Sequence, residues 1–150
     1  MTAAIRPDSW DIALSLHILG AMALIGTLVL AAAALFASWH GGAVGLVRLG
    51  FRSLLWAALP AWIVMRLSAQ WIVDKEGIED AGLSWVDIGF SVSEPTLLLL
   101  IVATVLSGRE IRRMGPADET GGMTRAAAVL VAITIAAYVV AIWAMTTKPV

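Results

Sequence analysis

Residues 59–71 read LPAWIVMRLSAQW, an apolar stretch that holds one permanently charged side chain, Arg66. A charged residue near the centre of a membrane helix costs roughly 2.5–3.5 kcal/mol on insertion scales, so it normally faces a partner, a cavity or the nearer interface. Arg66 therefore needs a polar partner or a polar surface in the folded chain.

The overall composition indicates a membrane protein. Of the 150 residues, 60% are hydrophobic and 14% are charged, which is too apolar for an ordinary soluble domain of this length. Several stretches reach the roughly 17–25 apolar residues that cross a bilayer as a helix. The formal net charge of -1 argues against a nucleic-acid partner, and the lack of cysteine excludes disulfides and thiolate metal sites.

Four apolar spans predict an all-α, four-transmembrane-helix bundle that forms one domain over residues 1–150. We place the spans at about residues 12–39, 49–73, 93–108 and 125–146. Pro60 is expected to kink or loosen the second span. Ser93, Glu94 and Pro95 are each favourable at a helix start, so they predict that the third span begins there and ends near Gly108. The acidic segment at 74–93 fits either a short amphipathic helix or an irregular loop.

The distribution of lysine and arginine predicts the orientation. The loops on one side hold Arg48, Arg52, Arg109, Arg112, Arg113 and Arg125, whereas the other side holds Arg6, Lys75 and Lys148 with most of the acids. Basic loops favour the cytoplasmic side, so both termini and the acidic segment are expected outside. The chain is then a multi-pass protein of the cell membrane, in contact with the lipid bilayer, and a membrane-protein partner or a homo-oligomer is left open.

Polar side chains from all four spans are expected to converge in the outer half of the bundle: His17, Arg66, Gln70, Glu94 and Tyr138. With a rise of ~1.5 Å per residue, His17 and Arg66 each lie roughly 10 Å below the outer interface. Gln70 is one turn above Arg66 on the same helix face, and Glu94 opens the third span from outside. The sequence therefore predicts a polar cluster centred on Arg66.

One interpretation of this cluster is structural. Arg66 pairs with Glu94 or snorkels outward, His17 bonds to a helix carbonyl, and the set fixes the helix register. Trp62, four residues before Arg66, could also lay its indole ring against the guanidinium. On this interpretation the chain is a non-catalytic accessory subunit.

The other interpretation is a ligand site, in which the cluster lines an outward-facing cavity for a polar or anionic group. Arg66 is then the charge anchor, and His17 is a donor, an acceptor or a ligand. The redox version of this site holds haem b, with His17 as axial ligand and Arg66 on a propionate. A quinone headgroup would use His17 and Tyr138 as hydrogen-bond partners. Zinc or copper catalysis has less support, since such sites need several nitrogen or sulfur ligands.

The residues LHILG at positions 16–20, near the outer end of the first span, and the ending Lys148-Pro149 resemble small bacterial integral membrane proteins of unknown function. A similar leucine-histidine-leucine-glycine opening occurs in copper-resistance and b-haem membrane families. The four-helix pattern covers the whole chain, and the match of individual residues is confined to positions 16–20 and the tail. Those copper and haem families carry further intramembrane histidines, which this chain lacks.

Single cysteines test the predicted orientation, because the chain has none of its own. In intact cells, we expect an impermeant maleimide to label Ser84→Cys and to leave Ala117→Cys unlabelled until the membrane is permeabilised. The opposite labelling pattern would reverse the orientation.

Overall fold

The computed structural model describes residues 9–40, 44–76, 84–115 and 121–147, and these are helical except at Met114, Gly115 and Gly121. The helices are α1 (Ser9–Ala37), α2 (Val44–Ser53), α3 (Leu59–Glu76), α4 (Ser84–Arg113) and α5 (Gly122–Thr147). A 3₁₀ turn, Ser38–His40, follows α1, and a π-helical segment, Leu54–Ala58, joins α2 to α3. The described part of the chain is therefore all-α, as the sequence predicts.

Four of these helical segments are long and apolar enough to cross a membrane: Ile12–Ala37, Val44–Lys75, Gly89–Arg113 and Gly122–Ala144. The second segment comprises α2, the π-helical segment and α3. This number of spans is the predicted one, and it is compatible with a small integral membrane protein. The predicted tail Lys148-Pro149 and residues 77–83 of the acidic segment lie outside the described residues.

The bounds of α4 differ from the prediction at both ends. The helix begins at Ser84, so Ser93 is not its first residue and Pro95 lies inside it. Proline lacks the backbone N–H of an interior helix residue, yet membrane helices tolerate it where nearby hydroxyl groups add hydrogen bonds. Pro95 leaves the Ser91 carbonyl without its helical donor, and the neighbouring Thr96 hydroxyl adds hydrogen bonds to the next two carbonyls, those of Val92 and Ser93, at 2.9 Å and 2.8 Å.

At its other end α4 continues past Gly108 to Arg113. Gly108 is a packing residue and not a terminator, because a Cβ at this position would lie 3.0 Å from Cε2 of Phe51 in α2. Small residues allow close approach of neighbouring helices in membranes. The sequence alone does not distinguish this use of glycine from its use as a helix end.

The second span is loosened just before Pro60. Residues Leu54–Ala58 form a π-helical segment, and the Leu59 N–H bonds to the Leu54 carbonyl five residues earlier. A proline that follows by two residues removes one donor from the same region, so the wider turn and the proline together interrupt the regular α-helical ladder. The predicted local effect of Pro60 is confirmed.

The two ends of the bundle differ in charge: one is rich in arginine and the other is acidic. The arginine-rich end is where α1 ends, α2 begins, α4 ends and α5 begins. The acidic end is where α1 begins, α3 ends, α4 begins and α5 ends. Between them lies a core of fully buried side chains that includes Leu24, Leu28, Leu54, Leu100 and Val131.

Packing between the helices is uneven. The pairs α4–α5 and α1–α3 make the most extensive contacts, and α1 also packs against α2 and α5. Helix α2 packs against α4, whereas α3 touches α4 only lightly. The α3–α4 side of the bundle is therefore the least closed, and it lies toward the acidic end.

A buried carboxylate holds the start of α5 at the arginine-rich end. Glu110 is 4% exposed, and its Oε1 accepts a hydrogen bond from the backbone N–H of Gly121. Gly121 directly precedes α5, whose first N–H groups lack intrahelical partners and carry the positive end of the helix dipole. A Cβ on Gly121 would collide with the same carboxylate, so a larger residue there would displace the Glu110 side chain from this position.

The contact between α1 and α3 depends on Gly20. A Cβ at this position would lie 2.9 Å from the backbone nitrogen of Met65 and 3.1 Å from its Cα. These are main-chain atoms of a helix, so they cannot move aside as a flexible side chain would. Gly26, further along α1, has open space where a Cβ would lie.

Replacing these two glycines gives a matched pair of variants. Gly20→Ala should destabilise the bundle by about 1–3 kcal/mol, because the added methyl group forces α1 and α3 apart. Gly26→Ala should be neutral or slightly stabilising, since alanine is the better helix former and nothing obstructs it. Thermal unfolding of both proteins in detergent measures the difference. Equal stability of the two variants would contradict the close α1–α3 contact.

Candidate functional site

Helix α1 places His17 against the backbone of α3. The Nδ1 atom of His17 lies 3.0 Å from the carbonyl oxygen of Met65. A carbonyl oxygen can only accept, so Nδ1 carries the hydrogen, and in the neutral ring Nε2 keeps a lone pair. This nitrogen has no partner among the described residues. The ring is half-buried, so the predicted bond from His17 to a helix carbonyl is present and leaves one ring nitrogen available.

Arg66 is tied to its own helix by a ladder of side chains. Its Nη1 donates to Oε1 of Gln70 at 3.0 Å, and Nε2 of Gln70 donates to Oδ1 of Asp74 at 2.9 Å. The spacing of four residues puts all three side chains on one face of α3. The positive charge at Arg66 is thus linked through a neutral amide to an exposed carboxylate at the acidic end.

The aromatic contact of Arg66 comes from α4. The guanidinium carbon lies 4.3 Å from the centre of the Phe90 ring, a cation–π geometry worth roughly 0.5–2 kcal/mol. Trp62, which the sequence suggested for this contact, instead donates its indole N–H to the carbonyl of Ser93 at 3.3 Å. The sequence offered Trp62 as one possible contact of Arg66, and the ring that the guanidinium meets is that of Phe90.

The predicted ion pair between Arg66 and Glu94 is absent. Both residues are described, the Glu94 side chain is exposed, and Arg66 bonds to Gln70. The cause is the early start of α4 at Ser84. It puts Phe90 beside Arg66 and Glu94 one turn further toward the arginine-rich end.

Tyr138 belongs to a buried polar group formed by α4 and α5. It is 6% exposed, and its hydroxyl is hydrogen-bonded to that of Thr96 at 2.9 Å. Ser93, one turn before Thr96, is also 6% exposed, and its Oγ has no hydrogen-bond partner in the described structure. The Trp62 indole connects this group to α3 through the carbonyl of Ser93.

The five predicted site residues therefore fall into separate sets. Arg66 and Gln70 are in direct contact, and His17 bonds to the residue before Arg66. Tyr138 is hydrogen-bonded to Thr96 and, within the described residues, has no hydrogen bond to Arg66, and the Glu94 side chain is exposed. Helix α3 takes part in every set. Its Met65 carbonyl bonds to His17, its Arg66 bonds to Gln70, and its Trp62 bonds to Ser93 beside Thr96 and Tyr138.

Three participants were missed from the sequence: Phe90, Ser93 and Thr96. The spacing of Ser93 and Thr96 puts both on one face of a helix, and this signal was available once the helix was known to begin upstream. The described residues contain no group of three histidine, cysteine, aspartate or glutamate side chains that could hold a metal ion.

Comparisons with protein-family models, with curated proteins and with solved structures found no match to this chain.

Proposed function

We propose that this chain is a non-catalytic, ligand-binding membrane bundle that holds the anionic group of an amphiphile at Arg66. Of the two interpretations drawn from the sequence, an accessory subunit and a ligand-binding bundle, the contacts of Arg66 favour the second. The protein lies in the cell membrane with both termini outside, as the arginine distribution favours. Arg66 is then in the outer half of the bilayer.

The observation that carries this proposal is the incomplete coordination of Arg66. A guanidinium has five N–H donors and is charged at any physiological pH. In the described structure it makes one hydrogen bond, to the neutral amide of Gln70, and no carboxylate touches it. A phosphate or carboxylate group bonds to the guanidinium fork in bidentate fashion, so an anion would supply both the missing charge and the missing acceptors.

The surroundings of Arg66 favour an amphiphile over a soluble anion. Arg66 is half-buried, between α3 and the Phe90 ring of α4. The next residue along α3, Leu67, faces outward and is 66% exposed, and Leu98, two turns beyond Phe90 in α4, is 65% exposed. A ligand with an anionic head and hydrocarbon chains matches both surfaces, because the chains would cover the same apolar side chains that lipid covers.

Arg66→Gln should weaken the binding of phosphatidylglycerol by about tenfold, the change in Kd that corresponds to 1.4 kcal/mol. The measurement is lipid retention by the detergent-purified protein in native mass spectrometry. Lys75→Gln removes the same charge from an exposed position at the same end of the bundle, so it should leave retention unchanged.

The choice of ligand separates the sources of the anion. Phosphatidylcholine, which has a phosphate but no net charge, should bind weakly, and inorganic phosphate should not compete. Competition by inorganic phosphate would mean that the site takes a free anion. Equal loss in the Arg66 and Lys75 variants would mean that the lipid responds only to total surface charge.

A second candidate function, a redox protein that binds haem b or quinone, rests on the His17 geometry. Metal-ligating histidines generally donate their other ring N–H to a carbonyl or carboxylate, which fixes the tautomer. The Nδ1 bond from His17 to Met65 has this form and leaves Nε2 for one axial position. The quinone version also needs the Tyr138 hydroxyl, which is buried and bonded to Thr96. The geometry therefore favours the haem version, which needs His17 alone.

An absorption spectrum tests the haem version. If haem b binds, the purified protein supplied with haem should show a Soret band that is lost in His17→Ala and kept in His40→Ala, which changes the other histidine of the chain. A protein that stays colourless, or equal bands in the two variants, would remove this candidate.

A further inference from the structure

We infer that the amphiphile at Arg66 is a diacyl glycerophospholipid and that the hydroxyl of Ser93 donates to one of its ester carbonyls. This inference rests on the proposed function, because it assigns the part of the ligand that lies beyond the anionic group. It excludes single-chain carboxylates such as fatty acids as the preferred ligand, since these have no second carbonyl.

The first step is the unpartnered hydroxyl of Ser93. Other buried hydroxyls of α3, α4 and α5 each bond to a carbonyl one turn earlier in their own helix: those of Ser68, Thr104, Ser107 and Thr134. The Ser93 hydroxyl is equally buried but makes no such bond in the described structure. A buried hydroxyl without a partner is costly in an apolar medium, so an acceptor from outside the chain would remove this cost.

The second step is the depth of Ser93 relative to Arg66. The guanidinium lies over Phe90, and Ser93 is three residues further along α4, about 4.5 Å deeper from the acidic end. In a glycerophospholipid the ester carbonyls lie deeper in the membrane than the phosphate, separated from it by the glycerol carbons. A phosphate on Arg66 therefore places an ester carbonyl at the level of Ser93.

The third step is the chemistry of the layer that covers Ser93. The half-buried Trp62 indole lies against it, and its N–H bonds to the Ser93 carbonyl at 3.3 Å, a long distance for such a bond. Trp62 N–H and Ser93 O–H are both donors. A carbonyl oxygen that enters between α3 and α4 as the indole shifts would accept from both groups.

The lightly packed contact between α3 and α4 gives the lipid its route. Both helices carry exposed apolar side chains, such as Ile63 and Leu67 in α3 and Leu98 in α4, so the acyl chains would remain in the bilayer while the headgroup and the glycerol region engage the protein. The Ser93 hydroxyl is covered in the free protein, so the Trp62 indole has to shift before the ester carbonyl reaches it.

The test compares ester-linked phosphatidylglycerol with its ether-linked dialkyl analogue, which has the same headgroup and chains but no carbonyl. The full-length protein in detergent should bind the ester lipid about three- to tenfold more tightly than the ether lipid, the effect of one hydrogen bond. Ser93→Ala should bind both lipids with the wild-type affinity for the ether lipid. Ser68→Ala, in which a satisfied hydroxyl is removed, should keep the preference for the ester.

The outcomes separate this inference from the proposed function. If Arg66→Gln weakens both lipids but the wild-type protein does not distinguish ester from ether, only the Ser93 inference is wrong. If Arg66→Gln changes neither lipid, the proposed function is wrong. A preference for the ester that persists in Ser93→Ala would overturn the assignment to Ser93. The wild-type comparison needs no variant, so misfolding of a mutant does not remove the test.

Discussion

The placement of one guanidinium at membrane depth is the constraint on which the acidic end of the bundle depends. Arg66 cannot lose its charge, and an isolated charge in the hydrocarbon region is costly. Helix α3 supplies the amide of Gln70 one turn away, which is bonded in turn to the carboxylate of Asp74 two turns away. Helix α4 contributes the face of the Phe90 ring. Each of these contacts is weaker than a direct ion pair, so Arg66 keeps the capacity to bind a further anion.

The position of His17 depends on a different constraint, the close approach of α1 and α3. Helices in lipid gain little from apolar burial, so they associate through tight packing and hydrogen bonds. Met65 takes part in both: its backbone lies against Gly20, and its carbonyl accepts from His17 and from Ser68. Any ligand at Nε2 of His17 would therefore be sensitive to the spacing of these two helices, even when no α1–α3 contact touches the ligand itself.

The sequence was sufficient for the features that follow from periodicity and composition. The four spans, the interruption before Pro60 and the shared face of Arg66 and Gln70 are all present. The predicted start of α4 near Ser93 was wrong. Serine, glutamate and proline are favourable at a helix start, but they are also tolerated inside a membrane helix. That single error put Glu94 at the outer end of the third span, whereas it lies ten residues inside α4. Which aromatic ring meets the guanidinium depends on the helix register, and no local pattern reports it.

The light contact between α3 and α4 follows from how the second span changes partners along its length. Before the π-helical segment, α2 packs against both α1 and α4, with Gly108 against Phe51. After it, α3 packs chiefly against α1. The π-helical segment and Pro60 interrupt the helix at this change, and such interruptions are the usual sites of helix bending. The same irregularity that the sequence reveals at Pro60 therefore leaves Arg66 and Trp62 against a lightly packed neighbour, which is where the proposed lipid would enter.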